Sequence, residues 1–168
     1  MIEEDEEKKQ FNKEKGIRFL KFCAVGLVGW GLNELLIFLG ILALDAITSK
    51  DPLFMLFSLQ IDKILIASFI SICIVMTFNF TINRIWTFRK KEEESQAKWH
   101  LQFIKFILVS LSGLVIYLGF IYIFSTLLDF NKFLSTSIGF FLGLVNNFIW
   151  NDLWNFKGKS EEKNQFNE

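Results

Sequence analysis

Long apolar runs alternate with short charged stretches along this chain of 168 residues. The apolar segments are approximately 19–44, 63–86, 103–128 and 133–155, and the charges collect at 2–21, 84–105 and 157–168. A hydrocarbon core about 30 Å thick is crossed by about 20 helical residues, a length that every apolar segment reaches. Backbone left open in lipid has no hydrogen-bond partner, so all four segments are predicted to be helices. The expected fold class is all-α integral membrane, with a charged tail at 1–16, a membrane domain at 17–158 and a polar tail at 159–168. The first tail has little to bury and reads as disordered or as a loose surface helix. The connection from Asp45 to Asp62 contains Pro52, the only proline, and the apolar patch Leu53-Phe54-Met55-Leu56-Phe57. That patch is too short to span. It is expected at the interface or as an outward extension of the second helix. Asp129-Phe130-Asn131-Lys132 reads as a tight turn, and 89–98 as a polar linker.

The basic residues set an orientation. Fifteen of the 18 lysines and arginines flank the outer ends of the chain and the middle linker, leaving Lys50, Lys63 and Lys132 for the opposite side. Lys and Arg concentrate on the inner face of a membrane, which predicts that both termini and the linker are cytoplasmic. The first apolar run is too long for a signal-peptide core, carries Glu34 and lacks a small-residue cleavage site, so it reads as a retained span.

A repeat is visible within this pattern. Asn79, Asn83, Trp86 and Phe88 recur as Asn147, Asn151, Trp154 and Phe156, all at an offset of 68 (79 to 147). Phe19-Leu20-Lys21-Phe22 recurs as Phe103-Ile104-Lys105-Phe106 at an offset of 84 (19 to 103). The offset shrinks because the second half has the shorter outer loop. The expected architecture is therefore two tandem helical hairpins, each starting and ending inside. They would be parallel repeats related by a pseudo-two-fold axis along the membrane normal.

Polar residues within the spans are the candidates for chemistry. Glu34 lies thirteen residues past Lys21, which at 1.5 Å per residue is about 20 Å along the helix. Near that level are Asn33, Thr77, Asn79, Asn146, Asn147 and Tyr117. A second layer nearer the cytoplasm holds Asn83, Arg84, Asn151 and Asp152. An unsatisfied polar group in hydrocarbon costs several kcal/mol, so these residues are expected to converge on the interior as a polar column. The plainer reading makes the asparagines glue between helices, worth about 0.6 kcal/mol each, with Glu34 a protonated acid bonded to one of them. Arg84 and Asp152 occupy equivalent repeat positions and read as an ion pair across the pseudo-axis. The other reading has Arg84 presenting its fork to a phosphate. Trp86 and Trp154 read as interface anchors, and Gly26, Gly29, Gly31, Gly139 and Gly143 as sites of close helix packing.

Composition narrows the function classes. More than half of the residues are apolar, 21 of them Phe, more than a soluble domain this size could hide. Cys23 and Cys73 lie in apolar runs with no CxxC or Cys/His cluster, and His100 has no metal-ligand companion, so no disulfide, metal or cofactor is indicated. There is no P-loop, serine elbow, HExxH or dinucleotide turn, and the chain reads as a non-enzyme.

The helix start Arg18-Phe19-Leu20-Lys21-Phe22, the Gly-rich first span with Asn33-Glu34, and the ending Asn83-Arg84-x-Trp86-x-Phe88 resemble the GtrA-like family. The second ending, Asn151-Asp152-x-Trp154-x-Phe156, fits too, although arginine would be the commoner family residue where Asp152 stands. The resemblance covers roughly 17–158. It implies a multi-pass cell-membrane protein that flips a polyprenyl-phosphate-linked monosaccharide to the outer leaflet for cell-surface polysaccharide or glycan synthesis. It equally admits a non-catalytic membrane anchor or scaffold for a polyprenyl-phosphate glycosyltransferase. Under this resemblance Asn33, Glu34, Asn79, Asn83, Arg84, Asn147, Asn151 and Asp152 are the expected substrate-binding residues. The implied partners are a polyprenyl-phosphate-linked sugar, membrane lipid, a glycosyltransferase and a second copy in a homo-dimer, with no nucleic acid. A small proton-coupled exporter is a third reading. The single acid in the first helix favours it, and the charge bias and duplication count against it.

Overall fold

The computed structural model describes residues 2–56, 59–89, 91 and 98–156. The expected polar tail at 159–168 and most of the expected linker lie outside these. Four long helices carry nearly all of the order. Helix α1 runs Ile2–Ile47, α2 runs Lys63–Ile82, α3 runs Trp99–Ile121 and α4 runs Lys132–Trp150. The last three each end in a π-helical turn, at Asn83–Thr87, Tyr122–Leu127 and Asn151–Asn155. The four helices, counted with their π turns, are long and apolar enough to cross a membrane, their spans running Lys9–Ile47, Lys63–Thr87, Trp99–Leu127 and Lys132–Asn155. Large side chains point outward along them, with Phe69 70%, Val115 70% and Phe133 77% exposed, an arrangement suited to hydrocarbon.

Helix α1 passes from its charged stretch into its apolar run without a break. The Glu and Lys of that stretch are good helix formers, and no proline interrupts them. The patch after Pro52 does not extend α2. Phe54–Leu56 forms strand β1, paired antiparallel with β2, Leu59–Ile61, in the register Phe54 to Ile61 and Leu56 to Leu59. Asp62 then starts α2 by accepting the N–H groups of Leu65 and Ile66 at 3.1 and 3.3 Å.

The chain forms two compact units, 24–82 and a second made of 1–23 with 83–168. Within 24–82, α2 buries Lys63, Ala67, Ser71 and Val75. Their spacing of four places them on one helical face. That face meets small and polar groups of α1. A Cβ on Gly40 would sit 2.9 Å from the Ala67 Cβ, and one on Gly29 would overlap the Asn79 amide. At the loop end the buried Lys63 ammonium donates to Asp45 at 2.6 Å and to the Thr48 carbonyl at 2.7 Å.

Within the second unit, α4 buries Ser135, Gly139 and Gly143 at the same spacing. A Cβ on Gly143 would lie 2.8 Å from the Gly113 carbonyl oxygen, and one on Gly139 3.2 Å from that of Tyr117, so backbone packs on backbone. The α3–α4 turn has Asp129 at φ 48°, a left-handed conformation that Asp tolerates. Asn131 then caps α4 by accepting the Leu134 N–H at 3.1 Å.

Candidate functional site

The two copies of the repeated ending adopt the same local structure. The Asn83 carbonyl accepts the Phe88 N–H at 2.8 Å, and the Asn151 carbonyl accepts the Phe156 N–H at 2.9 Å. Each bond spans five residues, the π-helical separation, a distortion often found at functional positions. It delivers Phe88 and Phe156 to each other. Both are fully buried and stack with centroids 4.6 Å apart at 11°. Phe148 stacks on Phe88 at 6.2 Å, and Phe22 meets both edge-on at 5.8–6.3 Å. Such pairs contribute about 0.5–1.5 kcal/mol each beyond area burial.

Beside this aromatic core lies a charged cluster. Asp152, 2% exposed, accepts Arg18 Nε at 2.9 Å, with Nη2 at 3.5 Å from its other oxygen. Lys91 Nζ lies 3.2 Å from Asp152 Oδ1 and donates to the Asp152 carbonyl at 2.9 Å. The expected Arg84–Asp152 pair does not form. A carboxylate this buried takes cations that are themselves withdrawn from water, and Arg18 and Lys91 are (side chains 13% and 9% exposed). Arg84 is half-buried in the other π turn.

A cavity of about 530 Å³ opens next to this cluster. Its lining includes the apolar Ile17 and Ile85, the indole of Trp86, and the cations Arg18, Lys21, Arg89 and Lys91, with Glu14 among them. Lys21 Nζ lies over the Trp86 ring, 5.3 Å from its centroid, and donates to the Trp86 carbonyl at 3.5 Å. Thr87 also lines the cavity. It is 4% exposed, and its hydroxyl has no hydrogen-bond partner among the described residues.

The remaining expected site residues are used within their own units. Asn33 Oδ1 accepts the Ser71 hydroxyl at 2.8 Å. Asn79 lies against Gly29 and Asn147 against Gly113, and the Oδ1 atoms of both asparagines are buried without a partner among the described residues. Asn146 donates to the Ser112 hydroxyl at 2.8 Å. Asn83 is buried, its Oδ1 likewise without a partner among the described residues. Asn151 donates from Nδ2 to the Asn147 carbonyl at 2.8 Å and accepts Asn155 Nδ2 at 3.0 Å. Glu34 does not join an interior column. It is exposed on α1, because it follows Asn33 and so points about 100° away from the face that meets Ser71. A recess of about 250 Å³ in the second unit places Ser110, Tyr117 and Asn147 together.

Sequence reasoning used Arg18, Lys21, Arg89 and Lys91 for orientation, and Arg18 and Lys21 for the repeat and the resemblance, but named none of them as a ligand-binding candidate, and it passed over Thr87. The recurrence of Lys21 as Lys105 and of Trp86 as Trp154 was the available signal, for Lys105 Nζ also lies over the Trp154 ring, at 5.1 Å. Among the described residues no group of His, Cys, Asp or Glu could hold a metal. The family model described as GtrA/DPMS, transmembrane domain, matches residues 51–135 and 105–167. A comparison with curated proteins finds no match.

Proposed function

The chain belongs to the GtrA/DPMS transmembrane-domain family, and on that premise we propose that it translocates a polyprenyl-phosphate-linked monosaccharide across the cell membrane. In this reading the basic end faces the cytoplasm and the two hairpins are tandem repeats around a pseudo-two-fold axis. The sugar goes to cell-surface glycan synthesis.

The carrying observation is the cavity at the basic end, which combines Arg18, Lys21, Arg89 and Lys91 with Ile17, Ile85 and Trp86. A lipid-linked sugar phosphate has the same division: an anion that cannot enter hydrocarbon and a tail that belongs there. Cations with directed donors neutralise the phosphate, and amides such as Asn147 offer hydrogen bonds to sugar hydroxyls. The chain acts without a nucleotide, and consumption of the sugar on the far side drives net flow.

The test is a leaflet-accessibility assay on purified protein in liposomes with a short-chain prenyl-phosphate sugar. An impermeant reagent should reach the inner pool much faster with protein than without. A rate equal to that of protein-free vesicles overturns translocation.

One observation favours a second reading, a membrane anchor for a glycosyltransferase acting on polyprenyl phosphate. Glu34 is exposed, and Asn33 is tied to Ser71 within its hairpin, which leaves those two groups out of a transport path. Co-purification with such an enzyme, together with no accelerated flipping, selects this reading.

A further inference from the structure

The two halves of the repeat build one framework twice and dress it differently. Lys21 over Trp86 and Lys105 over Trp154 are equivalent pairs, at 5.3 and 5.1 Å. At the positions of Arg18 and Thr87 in the first half, the second half has Gln102 and Asn155 (offsets of 84 and 68). The cavity of about 530 Å³ lies at the first pair. Arg18, Lys21, Arg89 and Lys91 line it together with Glu14, and Asp152 pairs with Arg18 and Lys91. The Thr87 hydroxyl, buried in the cavity wall, donates to nothing among the described residues. Thr87 is 4% exposed, and leaving a buried hydroxyl without a hydrogen bond is costly, a cost that an arriving acceptor removes.

We infer that this cavity is a phosphate-binding site for a prenyl-lipid headgroup, with Lys21, Arg18 and the Thr87 hydroxyl as its donors, and that the described residues of the second half supply no counterpart of Arg18 or Thr87. The inference rests on the ligand class given under the proposed function and adds the site and its asymmetry. Phosphate chemistry fits the donor set, because the guanidinium N–H groups that Arg18 does not direct at Asp152, an ammonium and a hydroxyl together match the oxygens of a phosphate. Ile17 and Ile85 in the same lining give the first isoprene units an apolar bed. Gln102 and Asn155 carry no charge, so the Lys105–Trp154 pair lacks the guanidinium and the hydroxyl of its first-half equivalent; the equivalents of Arg89 and Lys91, Lys157 and Lys159, lie outside the described residues.

The test is equilibrium binding of radiolabelled geranylgeranyl phosphate to the full chain in phosphatidylcholine nanodiscs. Lys21→Ala and Thr87→Val should each weaken binding about tenfold or more, the worth of one charge-assisted hydrogen bond. Lys21→Arg should restore most of the lysine effect, and Lys105→Ala should stay within about twofold of the unmodified chain. Competition by inorganic phosphate at the same concentration as the prenyl phosphate would show a free-anion site and overturn the lipid assignment. Equal competition by phosphatidylglycerol would show a general anionic-lipid surface and overturn it as well. Equal losses in Lys21→Ala and Lys105→Ala overturn the asymmetry. The two proposals fail separately. Binding with this mutational pattern but no flipping leaves the site standing and ends the transport reading. Wild-type binding and flipping by Lys21→Ala ends the site and leaves transport standing.

Discussion

Replacing Asp152 by Asn tests the charged cluster directly. The substitution keeps the shape and one acceptor oxygen but removes the carboxylate that Arg18 and Lys91 share, their side chains being 13% and 9% exposed. Removing one partner of a buried ion pair costs about 3–5 kcal/mol, because the uncompensated charge stays behind. The retained acceptor places Asp152→Asn at the lower end, about 3 kcal/mol. For a chain of this length that corresponds to a fall of roughly 6–12 °C in thermal midpoint. The assay is thermal unfolding of the purified protein in one detergent, at 0.1 and 0.5 M salt. Low exposure also predicts that salt leaves most of the difference in place, since buried pairs are screened far less than surface pairs. The triple change Asp152→Leu, Arg18→Met and Lys91→Met should recover much of the loss, as hydrophobic replacements of whole buried ion clusters do. A fall under about 2 °C for Asp152→Asn, or one abolished by salt, would refute the argument that the cluster is buried and mutually dependent.

Other outcomes follow from packing. Gly143→Val should destabilise the α3–α4 pair by about 1–3 kcal/mol, because its Cβ would lie 2.8 Å from the Gly113 carbonyl oxygen, which has little room to yield. Gly26→Ala is its control: nothing lies within 4 Å of the new Cβ, so the thermal midpoint should hold or rise slightly. Asn131→Ala removes the cap on the Leu134 N–H and should cost about 1 kcal/mol, read as a midpoint shift of roughly 2–4 °C. Ser71→Ala, which takes the donor from Asn33 Oδ1, should cost only about 0.6 kcal/mol, typical of such bonds between membrane helices.

The spans were legible because lipid imposes one requirement on every residue of a segment, and apolar runs of the needed length have few other meanings. The special character of the two endings was legible too, since Asn83 to Phe88 repeats as Asn151 to Phe156. Which side chains touch was not. Repeat positions identify equivalent residues without saying which equivalents lie close together. Phe88 and Phe156 meet at 4.6 Å, while Asp152 turns to Arg18 and Lys91. Depth along a helix also misled at Glu34, for it fixes height but not direction, and the next residue round from Asn33 faces elsewhere. The strand pairing after Pro52 had only a short apolar patch to signal it, and such a patch suits a hairpin as well as an interfacial segment.

The wide turns at Asn83 and Asn151 carry an implication for how such chains can change. Each closes a bond across five residues, so the number of positions from asparagine to phenylalanine is itself a structural dimension. Loss of one residue there would swing everything downstream by about 100° and turn the stacked ring out of its slot. Substitution within the turn leaves that count intact. A distant relative is therefore better recognised by the interval it keeps than by the letters it shares.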